Sequence, residues 1–370
     1  MSQGPLYNDN RLKLGVFGIN VSNGCAATTA EGHFETSWPA TVDIAVTADQ
    51  AGFEALVPVA RWKGFGGKTN FNGSCFETYT WAAGLGAVTK HAAVFSTSHV
   101  PTVHPVVAAK QATTIDHISN GRFALNVVCG WYPDEFAMFG AQVMEHDALY
   151  EYAAEWLEII RRLWTEDDEF DYEGRFFRVE KGFHQPKPIH KPHPPIMNAG
   201  MSPTGARFAA KYSDMLFTNI SSGTDDEIKA HVAELRRMGQ EDFGRHFQVW
   251  GSCSIVCRPT EKEAMDYARY YIIEKGDWEA AANLARMGRP SAAPKPGEPL
   301  RSPGWGGYLI IGTPEQMVDA LQRVSAMGVD GVVLSWVNYP EELRQWIRDV
   351  LPLMEQAALR RPAASPSPAS

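Results

Sequence analysis

An amide stands in the middle of an apolar run. The stretch from Thr113 to Trp131 reads as a helix end, a tight Ser-Asn-Gly turn and a short apolar strand that Asn126 interrupts. A buried strand excludes an amide unless its hydrogen bonds are met. Asn126 is therefore either a satisfied structural residue or a polar group aimed into a site. Other groups able to do chemistry gather at similar places. Thr97 and Ser98 close a preceding apolar strand, with His99 just beyond; Arg61, Trp62 and Lys63 follow an earlier one. Glu135 lies in the loop after Asn126. Asn198, Ala199, Gly200 and Ser202 sit where a later strand gives way to a helix. Small residues and free backbone N–H groups at such a helix start suit an anion such as a cofactor phosphate; the same residues also suit a plain cap, with Ser202 at N-cap and Pro203 at N1.

Histidine is plentiful, with 11 in the chain. None falls into His-x-His or His-Glu-x-x-His, so no metal is expected. His99 and His104 could face a substrate as acid, base or donor, and His104 equally suits a helix start. His190 and His193 read as exposed connector residues. Cys253 and Cys257 share a side of one strand and read as packing residues. Ser-x-x-Lys and Gly-x-Ser-x-Gly are absent, which leaves a serine hydrolase unsupported. Gly64 to Thr69 resembles a phosphate loop without its spacing, and its glycines suit a mobile loop that lets backbone approach a ligand.

The elements that must position these groups alternate strand and helix. Strands are expected at 12–18, 53–57, 92–97, 122–128, 195–199, 215–218, 248–256 and 331–335. Helices are expected at 39–51, 76–90, 105–118, 147–164, from 203, and at 225–238, 261–274, 314–327 and 340–356. A hairpin is expected over 170–179 around Glu173-Gly174, and a Pro-rich connector over 185–195. Eight strands alternating with helices predict a (β/α)8 TIM barrel with insertions, whose chemistry sits at the C-terminal strand ends. A doubly wound sheet is the alternative, weakened because no Gly-x-Gly-x-x-Gly follows the first strand. One domain is expected over 1–361. The Gly/Pro/Ala-rich insertion 276–307, carrying Arg286, Arg289, Arg301 and Trp305, reads as a lid or a solvated insertion. Residues 362–370 read as a disordered tail.

The chain has 370 residues and a net charge of −9 without a basic block, which disfavours nucleic acid or an anionic membrane as partner. Residues 1–13 lack the apolar core of a secretory signal, and no apolar run is long enough to span a membrane. The 5 cysteines form no Cys-x-x-Cys, as in a reduced cytoplasmic protein.

With these residues in view, the chain resembles the bacterial-luciferase-like, reduced-flavin-dependent monooxygenases from about residue 12 to 357. The resemblance rests on Thr113 to Trp131, on Gly312-Thr-Pro-Glu-Gln316 with Gly328 to Val333, and on Val350 to Leu353. Arg61 to Thr69 is similar to the pyrimidine-oxidising branch of the family. Glu145-His-Asp147, Leu163 to Asp167 and Lys191 to Pro194 are more similar to the dimethylsulfone-oxidising branch. The resemblance implies FMN contacts at Ala60, Arg61, Asn126, Glu135, Tyr150 and Ser202, and a Thr97–Asn126 pair that holds dioxygen beside the flavin. In the pyrimidine branch a Lys stands where this chain has Arg61, and an Arg where it has Leu149; the phosphate must then be gripped by Ser202, Tyr150, the helix start and another basic group. It further implies FMNH2 supplied by a separate NAD(P)H:flavin reductase, O2 as co-substrate, and a flavin peroxide that cleaves a C–S, C–N or C–halogen bond of a small molecule. A homodimer or homotetramer is also implied. An F420-dependent oxidoreductase and a non-catalytic flavin-binding barrel remain alternatives.

Overall fold

The computed structural model describes residues 4–130, 132–140, 144–285 and 292–362. Trp131, Arg286, Arg289 and the tail from 363 onward, all singled out above, lie outside the described residues. The strands are β1 (Lys13–Phe17), β2 (Ala55–Val57), β3 (Ala93–His99), β4 (Phe123–Val128), β5 (Phe170–Glu173), β6 (Arg178–Gly182), β7 (Ile196–Asn198), β8 (Met215–Phe217), β9 (Gln248–Cys257), β10 (Tyr308–Gly312) and β11 (Gly331–Ser335). Strands β1, β2, β3, β4, β7, β8, β9 and β11 pair in parallel in that order, and β11 returns to β1, closing a (β/α)8 barrel. β5 and β6 form the expected antiparallel hairpin.

The barrel strands are buried on both faces, as parallel strands flanked by helices must be. Every residue of β3 and β11 is buried. Side-chain alternation divides each strand between two cores. Ala55, Phe95, Ala124, Met197, Met215, Trp250 and Val333 fill the interior, while Val94, Leu125, Val127, Ile196 and Val249 face the helices. Leu6 joins the interior cluster from below, and Gln248 Nε2 donates to its carbonyl at 2.6 Å. On helix His146–Thr165 the expected stripe of Leu149, Trp156, Ile159, Ile160 and Leu163 is buried.

The lower rim is tied by charge. Glu54, wholly buried ahead of β2, accepts from Leu14 N at 2.7 Å and from Arg360 at 2.8 Å on one oxygen. Its other oxygen accepts from Asn8 at 2.9 Å and from Asn10. Arg361 N donates to Asn10 Oδ1 at 2.8 Å, so both ends of the described chain meet under the barrel. Most of the Thr113–Trp131 motif also works there. Asn120 and Gly121 take left-handed conformations, φ 55° and 79°, that turn helix Pro105–Ile118 into β4. Arg122 then donates to Thr89 Oγ1 and to the carbonyls of Gly86, Thr89 and Ala92, closing the end of helix Thr78–Val88.

Several expectations need correction. β10 pairs with the far end of β9 outside the barrel, in residues for which no element was expected. The insertion contains a helix, Trp278–Ala285. The loop after β4 contains the short helix Pro133–Met138. The last helix divides into Tyr339–Asp349 and Leu351–Gln356, because Pro352 has no N–H to continue the ladder. His190 and His193 are half-buried rather than exposed: His190 N donates to Asp116 at 2.9 Å, and His193 stacks on Trp164 at 6.1 Å.

Candidate active site

Thr97 and Asn126 are cross-strand partners at the C-terminal ends of β3 and β4, one interior layer above Phe95 and Ala124. Their hydrogen bonds have a fixed direction. Pro58 O can only accept, and Thr97 Oγ1 donates to it at 2.7 Å. Having given its one proton, the hydroxyl accepts from Asn126 Nδ2 at 3.2 Å. That sets the amide orientation. Asn126 Oδ1 is left buried, with no hydrogen-bond partner among the described residues.

Beside this pair a charged cluster is sealed from water. Arg61, Glu135 and His99 are 4%, 1% and 5% exposed. Arg61 lies 3.5 Å from Glu135 Oε1 and 3.3 Å from His99 Nε2. A guanidinium only donates, so Nε2 accepts, and the imidazole proton sits on Nδ1, 3.3 Å from Glu135 Oε2. His99 is thus a neutral link between a cation and an anion, and burial holds its pKa below the ordinary histidine value. Burial likewise pushes Arg61 down to about 10, against the pull of Glu135. Burial works to raise the Glu135 pKa, but the His99 hydrogen bond and the Arg61 charge outweigh it and hold it below the usual carboxylate range. Glu135 Oε1 also accepts from Trp62 N at 2.7 Å and Lys63 N at 3.2 Å, fastening the chain after β2. Ala60, whose carbonyl Arg61 Nε contacts, lines one narrow cavity with Arg61, Thr97, Ser98, His99 and Tyr79.

Aromatic rings cover Arg61. Its guanidinium lies 5.3 Å from the Phe65 ring, 5.6 Å from Trp305 and 5.8 Å from Tyr132. Trp305 comes from the 276–307 insertion and is fixed by Nε1 donating to Asn72 Oδ1 at 2.6 Å. Asp277 accepts from Thr69 N at 2.7 Å and Thr69 Oγ1 at 2.8 Å, and Asn283 Nδ2 donates to Phe65 O at 2.7 Å. The described part of the insertion therefore docks on the 64–75 loop. A Cβ on Gly67, at φ 71°, would come within 2.6 Å of the Asp277 carboxylate. Gly66 and Gly67 of this loop leave room for the chain's own insertion.

A second corner lies at the start of helix Pro203–Tyr212. Asn198 Nδ2 donates to Val127 O at 2.7 Å and its Oδ1 accepts from Gly200 N at 2.8 Å, tying the end of β7 to β4. Ser202 Oγ accepts from Gly205 N at 3.1 Å as the cap, and lies 3.1 Å from His146 Nε2. His146 packs against Tyr150 one turn later at 5.2 Å. A Cβ on Gly205 would strike the Tyr150 hydroxyl and come within 2.8 Å of Gly200 Cα. Glycine at both positions thus lets the helix start pack closely against the end of β7 and the Tyr150 hydroxyl.

The structure therefore gathers Ala60, Arg61, Thr97, His99 and Asn126 with Glu135 in one place. Ala199, Gly200, Ser202 and Tyr150 form a second corner on the same rim, at the end of β7 beside the strand that carries Asn126. Leu149 turns into the core. His104 caps helix Pro105–Ile118, accepting from Val106 N at 3.3 Å. Sequence reasoning missed the place of His146, although its spacing from Tyr150 was a usable signal. It also missed the aromatic cover on Arg61, which joins segments far apart in the chain. Among the described residues, no group of three or more His, Cys, Asp or Glu could hold a metal, and no helix is long and apolar enough to cross a membrane.

A parallel barrel with polar groups at its C-terminal rim is the architecture of a large class of enzymes. The model of the luciferase-like monooxygenase family matches residues 16–331, and the chain belongs to that family. Among curated relatives, the FMNH(2)-dependent dimethylsulfone monooxygenase of Pseudomonas putida is 31% identical over 358 residues, covering 93% of this chain and 96% of the relative. The pyrimidine monooxygenase RutA of a Bradyrhizobium species is 29% identical over 362 residues, covering 94% and 99%. Riboflavin lyase RcaE, solved with modified FMN and riboflavin, matches with a TM-score of 0.83 at 20% identity, over 96% of this chain and 94% of that one.

Proposed function

We propose that this chain is the oxygenase of a two-component system. It is an FMNH2-dependent monooxygenase that takes reduced FMN from a separate NAD(P)H:flavin reductase and uses O2 to oxidise a small organic molecule. The bond broken is the C–S bond of a sulfone or sulfonate, or the C–N bond of an amide or heterocycle. Relatives on both sides of that choice are similarly near, at 31% and 29% identity, so the substrate is sought in both classes. In the cell it acts in the cytoplasm as a homodimer or homotetramer.

The observation that carries this reading is the polar layer of Thr97 and Asn126, with one buried acceptor left over, on the interior face of the barrel rim. Most buried polar atoms are hydrogen-bonded, and a fixed acceptor in this layer suits a donor on a bound molecule. Reduced FMN supplies the electrons that activate O2. The chain's own residues bind, orient and exclude water. Ser202, Tyr150 and the start of helix Pro203–Tyr212 suit the phosphate, with His146 as the nearby basic group that Leu149 does not provide. The Arg61–His99–Glu135 cluster fixes the chain after β2, and Phe65, Tyr132 and Trp305 shield it from solvent.

The test supplies FMNH2 through a flavin reductase and offers a panel of sulfones, sulfonates and nitrogen heterocycles. Substrate loss that depends on both O2 and reduced flavin is expected for at least one compound. No loss across the panel, or turnover with F420 under anaerobic conditions, would overturn the reading.

A further inference from the structure

We propose that the free edge of β10 pairs with β10 of a second copy of this chain, as antiparallel strands about a two-fold axis at Ile310. This rests on the homo-oligomer of the reading above and names one of its faces; it holds whichever molecule is oxidised. β10 is the end strand of its sheet. It pairs with β9 from Tyr308↔Cys253 to Gly312↔Cys257 without a bulge, and has no strand on its other side among the described residues. Gly312 O accepts from Arg258 N at 3.0 Å, so the Gly312 backbone faces β9. Backbone groups alternate along a strand. Those of Tyr308 and Ile310 therefore also face β9, and the N–H and C=O of Leu309 and Ile311 point outward. A groove of about 350 Å³ lies beside the strand, lined by Tyr308 to Ile311 and, from helix Pro314–Ala326, by Asp319 and Arg323.

An edge that faces solvent is normally blunted by a charge, a proline or a bulge. Tyr308-Leu-Ile-Ile-Gly312 has none of these, and Tyr308, Leu309 and Ile311 are only half-buried. Such an edge wants a strand, and a second β10 supplies one in a defined register. With the axis at Ile310, Leu309 of each copy meets Ile311 of the other, so every outward N–H and C=O of the strand finds a partner. The groove also carries both signs. Asp319 and, one turn on, Arg323 are exposed, and the contact of Arg323 with Asp225 is a long 3.9 Å. Two copies therefore meet with opposite charges available across the axis. The chain's own C-terminal segment fits poorly. It departs from the opposite rim, where Arg361 N donates to Asn10, and Pro366 and Pro368 lack the N–H groups that a ladder needs. Pairing at β10 also braces the chain that enters the strand from Trp305, whose ring covers Arg61.

Light scattering of the native chain and of Ile311→Pro reads the assembly. The Ile311 N–H points away from β9, so proline removes an outward donor and leaves the β9 ladder in place. The variant should have half the molar mass of the native oligomer; an unchanged mass would overturn the inference. A second arm survives a proline variant that fails to fold. At the axis Ile310 faces its own copy in a non-hydrogen-bonded pair, with Cα atoms about 4.5 Å apart, inside the range that a disulfide spans. Ile310→Cys should therefore link two chains when oxidised glutathione is added. Leu309→Cys, which meets Ile311 of the second copy, should not link to itself. No link in Ile310→Cys, or equal linking in both variants, would overturn the register and the inference with it. If the native chain is a monomer at every concentration, the homo-oligomer reading falls too; if an oligomer keeps its mass in Ile311→Pro, only the β10 face does.

Discussion

Replacing Glu135 by alanine should be among the most damaging single changes outside the apolar core. Glu135 is 1% exposed; it accepts from Trp62 N at 2.7 Å and Lys63 N at 3.2 Å, and lies 3.3 Å from His99 Nδ1 and 3.5 Å from Arg61. Its removal leaves a guanidinium that is 4% exposed without its counter-charge, a loss of about 3–5 kcal/mol. The stranded His99 and backbone donors belong to the same network, so their losses overlap with that figure rather than add to it. Equilibrium denaturation in urea reads the change as a fall in midpoint at constant slope. The double variant Glu135→Leu/Arg61→Met removes both charges, and should recover all but about 1–2 kcal/mol of the loss. A single variant that loses less than about 1 kcal/mol would show that the charge pair is idle. A double variant as unstable as the single would show that packing, not charge, is what Glu135 provides.

Three further outcomes are expected. Burial, helped by the charges of Lys110 and Lys187, pushes His184 from 6.5 down to about 4. The unfolded chain then takes up a proton near 6.5 that the folded chain refuses until about 4, so stability falls as pH is lowered through that window, by at most about 3 kcal/mol. Urea midpoints between pH 7 and pH 4.5 check this, and His184→Gln should flatten the slope; an equally steep slope in that variant would assign the effect elsewhere. Gly205→Ala should weaken FMN binding and destabilise the fold by about 1–3 kcal/mol, because the added carbon meets Tyr150 and Gly200. An unchanged FMN affinity would move the phosphate away from this corner. Deleting the chain from Arg360 onward should destabilise by about 3–5 kcal/mol by unpairing wholly buried Glu54; a thermal midpoint within a degree of the native value would contradict it.

The barrel was readable because each of its strands is a short apolar run set off by turn residues and followed by a 3.6-residue periodicity. Features that depend on a distant partner were not readable. β10 adds to the far end of β9, and nothing in Tyr308–Gly312 announces that neighbour. Helix Trp278–Ala285 was within reach, since Ala280, Ala281 and Leu284 share a buried face, but Gly and Pro on both sides hid it. At the site, the break in an apolar run marked Asn126, the family resemblance supplied Thr97 as its companion, and the fold places both on the interior face. The direction of their hydrogen bonds turns on Pro58 O, a backbone atom that no side-chain pattern encodes. The ring cover over Arg61 joins residues 65, 132 and 305, and only the folded chain brings these together.

The hydrogen bond between Asn10 and Arg361, with Glu54 between them, bears on engineering. Both ends of the described chain leave from the face opposite the one where reactants enter. A flavin reductase could be fused at either end without its linker crossing the mouth, and the short ring of contacts around Glu54 is a natural seam for circular permutation. Handover of FMNH2 would then become local, at an effective concentration set by linker length.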